Sequence, residues 1–370
     1  MIYLDYSATT PPSDRALAAF AAASRDVFGN ANSTHAFGRA AEEAMRSASA
    51  TVLGALGAVD CETVFTSGAT EANNLAIKGY ALHHRAEGNH LILSPFEHSS
   101  VTACFGYLAK HGFEVDVVET DADGRVTPEL LERALRPDTI LVSVAAVASE
   151  LGIVQPIAEL SALVAARSRA AFHSDITQAV GKIPVPFAGI AMASLSAHKF
   201  YGLKGVGALI KRRDVLLEPQ IHGGASTTPY RSGTPAAPLA VSLADSLAEA
   251  VALQPEHAHR VAFLAQRLVA SLASIPGVLV NSPTGSIPHI LNLSVLSREA
   301  ADMVRFLDER GIAVSKQTAC SSRSSRSEAV LRLTGDERRA TTSIRISLSH
   351  LTLESELDAL IACVREVAER

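Results

Sequence analysis

Seven short apolar segments, separated by helix-patterned stretches, predict an α/β fold with a mostly parallel sheet, followed by a smaller α+β unit. The first observation is the alternation itself: residues 62–66, 90–93, 114–118, 139–144, 171–173, 192–196 and 205–210 read as strands. Between them, residues 69–84, 99–111, 128–135 and 157–166 carry helical patterning. The second is a change of pattern after about residue 250, where helix, strands and helix follow a Gly/Thr/Pro-rich loop at 223–238 and a long helical stretch. The chain there ends in an amphipathic helix with Leu357, Leu360, Ile361, Val364 and Val367 at three-to-four spacing. The third is size, since 370 residues with 48% hydrophobic content suffice for one large domain and one small one. A large domain over 1–250 and a small one over 251–370 are therefore expected.

Composition excludes several function classes. A formal net charge of −5 gives no basic footprint for nucleic acid, so no direct nucleic-acid binding is expected. No apolar run approaches the roughly 18 residues of a membrane span. The first residues, Met1-Ile-Tyr-Leu-Asp5, reach an acid without a basic region, so no secretory signal is expected. Cys61, Cys104, Cys320 and Cys363 lack metal-ligand spacing, so no metal site is expected. A reducing, cytoplasmic setting is the expectation that follows.

The chemistry concentrates at predicted strand ends. Lys199, in Ser196-Ala-His-Lys199, stands about two dozen residues after Asp175 in His173-Ser-Asp-Ile-Thr-Gln178. A lysine for a Schiff base and an acid for a pyridinium nitrogen are what pyridoxal phosphate needs from a protein. Any large α/β chain offers such pairs, and Ser174 or Asp175 serves equally as a helix cap. Gln178 offers a donor to a phenolate oxygen. In Thr66-Ser-Gly-Ala-Thr-Glu-Ala-Asn-Asn74, Gly68 permits a tight turn, and the first helical N–H groups with the Thr70 hydroxyl form an anion site. The same turn is also an ordinary N-cap. Ser196 and His198 add phosphate donors. His98 follows a strand, at the sheet edge where ligands gather in open α/β folds. Its imidazole suits ring stacking and proton movement, or a structural role. Cys320 sits among polar residues near Lys316, Arg323 and Arg326, which favour a thiolate, or it is an ordinary loop cysteine. The other three cysteines, among apolar neighbours or on helix faces, read as structural. Arg345 alternates with Ile344 and Ile346 along a strand, in reach of a carboxylate or of solvent.

Taken together these motifs are similar to one family. The chain resembles the cysteine desulfurases of the NifS/IscS type, class V aminotransferases among the fold-type I pyridoxal-phosphate enzymes. The matching blocks run in family order. They are Tyr3-Leu-Asp-Tyr-Ser-Ala-Thr-Thr10, Phe28-Gly-Asn30, Thr34-His-Ala-Phe-Gly38, Phe65 through Asn74, and Glu97-His98. They continue through Glu150-Leu-Gly-Ile-Val-Gln-Pro156, His173 through Lys182, Ser196 through Lys199, Arg231-Ser-Gly-Thr234, Thr318-Ala-Cys320 and Ser343 through Ser347. The resemblance implies that Lys199 holds the cofactor covalently and that Asp175 pairs with the ring nitrogen. His98 would stack on the ring, with Gln178 and Ser149 near its phenolate oxygen. Ala69 (through its backbone), Thr70, Ser196 and His198 would hold the phosphate, with Thr234 supplied by the partner subunit of a homodimer. Asn30 and Arg345 would bind the substrate carboxylate. Cys320 would take the sulfur of L-cysteine as a persulfide, leaving L-alanine, and pass it to an acceptor protein. Residues 1–15 would pack with the small domain.

Three departures from the family pattern stand out. Ala148-Ser149 replace an asparagine pair, Gly223-Gly-Ala-Ser-Thr-Thr-Pro229 replaces a Gly-Gly-Gln-Glu-type loop, and Lys316-Gln317 stand where Gly-Ser is typical. The Ser/Arg-rich stretch 321–327 reads as a mobile loop. A related lyase or aminotransferase without desulfuration, and a cofactor-binding scaffold, are the alternative readings.

Overall fold

The computed structural model of the chain describes residues 1–224, 226–316 and 325–369. A seven-stranded sheet forms its centre. Across the sheet the strands run Cys61–Thr66, Gly207–Arg212, Met192–Ser196, Ala171–Asp175, Thr139–Ser143, His90–Leu93 and Glu114–Val117. Gly207–Arg212 is antiparallel to both of its neighbours, and every other pairing is parallel. Six strands therefore place their carboxyl ends on one edge.

Alternate residues serve opposite faces, as a sheet covered on both sides requires. Ile92, Val142, Phe172 and Leu195 enter one core with Leu243 and Leu247 of the helix Ala237–Ala252. Leu91, Leu141, Met192 and Leu209 enter the other with Phe105 and Leu108 of the helix Ser99–Lys110. The helix expected over 69–84 forms, but Leu75–Gly79 makes a π turn within it. The strand expected over 171–173 continues to Asp175, so the carboxylate lies at the strand end and not in a helix cap. Its Oδ1 accepts from the Thr177 backbone N–H at 3.0 Å, closing the turn locally.

A second core gathers Leu264, Leu293, Ile344 and Leu360 around an antiparallel sheet of Ser343–Ser347, Ile290–Val295 and Val278–Val280. The helix Glu354–Ala368 buries Leu357, Leu360, Val364 and Val367 of the stripe read from the sequence, with Ile361 partly buried beside them. The first residues of the chain belong to this second core as well. Ile2–Tyr3 pairs in parallel with Ile312–Ala313, Leu4 is fully buried there, and Asp5 bridges to Ser347. Residues 5–13 then cross to the large sheet, so one strap joins both cores.

Gly207 brings two strand ends and the turn after Thr66 together. A β-carbon there would stand 2.5 Å from the Leu195 carbonyl oxygen and 2.6 Å from the Gly68 α-carbon, both backbone atoms. Gly207→Ala is expected to lower stability by roughly 1–3 kcal/mol through forced backbone displacement, read as a fall in the denaturation midpoint.

Candidate active site

The carboxyl edge of the large sheet opens into a cleft of about 420 Å³. Ligand sites in open α/β sheets form at this edge because loops diverge there from a fixed frame. Lys199 enters from the tight turn Ala197–Lys199 that follows Met192–Ser196. Tyr201, just beyond it, takes a left-handed φ of 65°, a strained conformation for a residue with a side chain. Thr10 holds that turn: its N–H donates to the His198 carbonyl at 2.9 Å, and its Oγ1 accepts from the Tyr201 N–H at 2.9 Å. The Lys199 ammonium donates to the Ser7 and Ala8 carbonyls at 2.5 and 2.8 Å. The strap therefore positions both the lysine turn and the lysine head.

Asp175 and His98 belong to one hydrogen-bonded chain. Asn73 Nδ2 donates to Asp175 Oδ2 at 2.8 Å and to Ser100 Oγ at 2.9 Å. Ser100 Oγ lies 2.8 Å from His98 Nδ1, which also accepts from the Ser100 backbone N–H at 3.1 Å. Nδ1 is thus an acceptor, and the proton of the neutral ring resides on Nε2. Burial holds the His98 pKa below its usual value against the opposing pull of Asp175. Gln178 is fixed the same way. Its Oε1 accepts from Lys182 Nζ at 2.8 Å, and its Nε2 donates to the Ser7 carbonyl at 3.0 Å. A carbonyl can only accept, so the Ser7 contact gives the amide one orientation.

Glu97 braces the loop that carries His98. Its Oε1 accepts from Ser94 Oγ at 2.8 Å and from the Ala145 N–H at 2.7 Å. Burial, with the nearby Asp175 charge, pushes its pKa up to about 8, so the group is protonated near neutrality. His198 is neutral as well: burial and the charges of Lys199 and Lys204 bring it down to about 4.

The structure brings Ala69, Thr70, His98, Ser149, Asp175, Gln178, Ser196, His198, Lys199 and Arg345 to the lining of this one cleft. Arg345 is buried. It pairs with Asp5 at 2.9 Å through Nη2, donates to the Ser149 carbonyl at 3.0 Å through Nη1, and has no partner at Nε. The cleft uses Ser149 through its backbone, which replacement of an asparagine side chain does not remove. Asn30 is exposed, with Oδ1 accepting from the Asn32 N–H at 3.0 Å, and it does not line the cleft. Thr234 is also outside that lining. Cys320 lies outside the described residues, as does most of the stretch read as a mobile loop. Cys61 and Cys104 are buried, and burial pushes the Cys104 thiol up to about 11, in keeping with structural roles. Asn73, Ser100, Ser7 and Lys182 were not singled out from the sequence. Asn73 and Lys182 lay inside the matching blocks, at helical spacing from Ala69 and Gln178, and that was the available signal.

The class-V aminotransferase profile matches residues 2–360. The chain belongs to that family. It is 40% identical over 368 residues to the cysteine desulfurase IscS of Anaeromyxobacter dehalogenans, covering 97% of this chain and 90% of that one. A solved NifS-like protein superposes with a TM-score of 0.91 at 33% identity, covering 100% of this chain and 99% of that one. A structure of SspA in complex with cysteine has a TM-score of 0.81 at 32% identity, over 95% and 100% of the two chains. This class-V aminotransferase is a cysteine desulfurase that uses pyridoxal phosphate. Among the described residues no helix is long and apolar enough to cross a membrane.

The lining fits that cofactor. A flat, anionic carbonyl compound needs an amine, a buried carboxylate, hydroxyl donors and backbone free of side chains. Lys199, Asp175, Thr70 and Ser196 supply the first three, while Gly68 and Gly205 supply the last.

The Glu97 geometry gives a pH test. Its folded-state pKa stands above that of the unfolded chain, so its stabilising contribution is lost as pH rises toward about 8. Glu97→Gln is expected to gain melting temperature relative to the parent between about pH 5 and pH 8, with a constant difference above that range. Parallel pH dependence of the two proteins would refute the protonated Glu97.

Proposed function

We propose that this desulfurase converts L-cysteine to L-alanine and receives the sulfur on Cys320 as a persulfide for an acceptor protein. The observation that carries the reading is the meeting of Lys199, Asp175, His98 and Arg345 in one cleft of a chain similar to cysteine desulfurases throughout its length.

When bound, pyridoxal phosphate supplies an electron-poor ring that takes up the electron pair freed at the substrate α-carbon. Lys199 would anchor it and, once released, move the α-proton as an amine. Asp175, held by Asn73 and the Thr177 N–H, would face the ring nitrogen. His98 presents a neutral ring with its proton on Nε2, suited to stacking and to returning a proton. Gln178 has one Nε2 hydrogen committed to Ser7, and the other is available to a phenolate oxygen. Thr70, the Ala69 N–H, Ser196 and His198 would hold the phosphate, joined by Thr234 of the partner subunit in a homodimer. Arg345 would grip the substrate carboxylate, with Asp5 compensating its charge in the absence of substrate.

Sulfur leaves by nucleophilic attack. The Cys320 thiolate attacks the substrate sulfur, the carbon–sulfur bond breaks, and its electron pair remains with the carbon that becomes the alanine methyl group. Described residues on either side support delivery to the cleft. Ser315 exchanges backbone hydrogen bonds with Arg345 at 2.6 and 3.2 Å, and Ser327 donates to Glu150, next to Ser149. Five residues from Ser315 to Cys320 span at most roughly 17 Å, enough to reach across such a cleft.

Incubation with L-cysteine and a reductant is expected to yield equal alanine and sulfide. Cys320→Ala should abolish both while leaving cofactor absorbance intact; full alanine production by that variant would refute the role of Cys320. Arg345→Lys keeps the charge but loses the planar fork. It is expected to raise KM for cysteine about tenfold or more, the cost of one charge-assisted hydrogen bond. An unchanged KM would remove Arg345 from substrate binding.

A further inference from the structure

A second cavity, of about 230 Å³, shares Ser7 and Lys199 with the active-site cleft. That volume is far above the roughly 10–15 Å³ needed to admit one water. Three histidines from separate elements line it: His257 on the helix Gln254–Ala273, His289 before Ile290–Val295, and His350 beyond Ser343–Ser347. The rings of His257 and His350 stack with centroids 3.6 Å apart and planes 8° from parallel. His289 is 7% exposed, and its Nδ1 has no hydrogen-bond partner. Lys182 and Lys199 bring two amines to the same lining.

Lys182 is the group that calls for a ligand. Its ammonium donates to Gln178 Oε1, a neutral acceptor, and it forms no ion pair among the described residues. A cation out of bulk water without a counter-charge is costly, and here the Lys199 and Arg345 charges add to the cost. Burial and those two cations bring the Lys182 pKa down to about 7. The one carboxylate in the lining, Glu249, accepts from Ser13 Oγ at 3.0 Å. Burial also brings His289 to about 3 and His350 to about 4, and lowers His257. Each ring is thus neutral and keeps one N–H donor. Tyr6 and Tyr201 are held protonated by burial, and Arg260 is committed to the His350 and Thr352 carbonyls. Among the described residues no group of three or more His, Cys, Asp or Glu could hold a metal ion. Lys182 would repel one in any case. The remaining walls include Val180, Phe200, Leu253, Leu348 and Leu351, which suit an aliphatic body.

We propose that this cavity is a binding site for a small organic carboxylate, held by the Lys182 ammonium and the imidazole N–H groups of His257, His289 and His350. The occupant supplies the counter-charge that Lys182 lacks. Lys199 lines both spaces, and Lys182 is linked to it in addition by three hydrogen bonds, through Gln178 and the Ser7 carbonyl. The site is thereby placed to adjust the cleft from the other side of Lys199.

Titration calorimetry of the holoenzyme with butyrate, in buffers matched in ionic strength with chloride, tests the proposal. Saturable binding is expected, tightening as pH falls through about 7, where Lys182 gains its proton. Lys182→Met and His289→Leu should each weaken it about tenfold or more. His257→Ala, on the accessible side, should weaken it as well, which guards against misfolding of the buried variants. In histidine-labelled parent protein, the ring nitrogen shifts of these three residues should move with the same saturation curve. Equal butyrate affinity in all variants would place the ligand in the active-site cleft and overturn the proposal. Absence of saturable binding would do so too, as would binding of inorganic phosphate alone. Cofactor absorbance, recorded in the same samples, reports separately on the desulfurase reading.

Discussion

The donation from the Lys199 ammonium to the Ser7 and Ala8 carbonyls is the contact on which the rest of the molecule converges. An amine on a strand-end turn is free to swing unless something outside its own element holds it. Here the holder is a strap from the chain's first residues, itself sewn to the smaller sheet. Ser7 N–H donates to Ser347 Oγ at 2.9 Å, and Ser347 N–H donates to the Leu4 carbonyl at 2.8 Å. Asp5 pairs with Arg345 and also accepts from Ser315 Oγ at 2.8 Å. The two cores are therefore coupled at the cleft that Lys199 and Arg345 line. A shift of the small sheet is transmitted to the lysine through the strap, by the Ser347–Leu4 backbone bond and by the Ser347 and Asp5 side chains.

That coupling explains how the cleft tolerates its charges. Lys199, Lys182 and Arg345 stand close enough to influence one another, and an isolated buried cation is costly. Asp5 compensates Arg345, and Asp175 offers a second negative charge within the field of His98. Glu97 is the carboxylate spared from this arrangement. Protonated near neutrality, it braces the His98 loop as a neutral hydrogen-bonding group instead of competing with Asp175 for the same cations. For Glu97, burial reinforced by the Asp175 charge outweighs the hydrogen bonds it accepts from Ser94 and the Ala145 N–H.

Much of this was legible in the sequence, and the legible part has a common physical origin. Short apolar runs marked the strands, and the strand ends marked where Lys199, Asp175, His98 and Thr70 must meet, since parallel strands share one carboxyl edge. The less legible part depended on long-range pairing. Asn73 carries no local signal for its bond to Asp175, a contact spanning 102 positions. Lys182 looked like one more helical-spacing lysine, because its isolation from carboxylates exists only once the strap and the second core are in place. The π turn at Leu75–Gly79 was hidden for a related reason: one extra residue in a helical turn leaves the apolar pattern almost unchanged. Asn30 shows the converse, a motif residue whose position in the fold is an exposed turn away from the cleft.

The departures in sequence also gain meaning from this frame. Replacement of an asparagine by Ser149 removes a side-chain donor, yet the backbone carbonyl of Ser149 keeps its bond to Arg345. Gln178 then becomes the principal side-chain amide in the cleft, oriented by the Ser7 carbonyl with Lys182 behind it. A lysine with only a neutral partner is an adjustable clamp: its protonation governs whether Gln178 accepts a full charge or a weaker dipole. Dependence of the cleft on Gln178 and dependence of Gln178 on Lys182 thus run in series. With one amide fewer in the cleft, the polarity of Gln178 depends more on Lys182 than it would beside an intact pair.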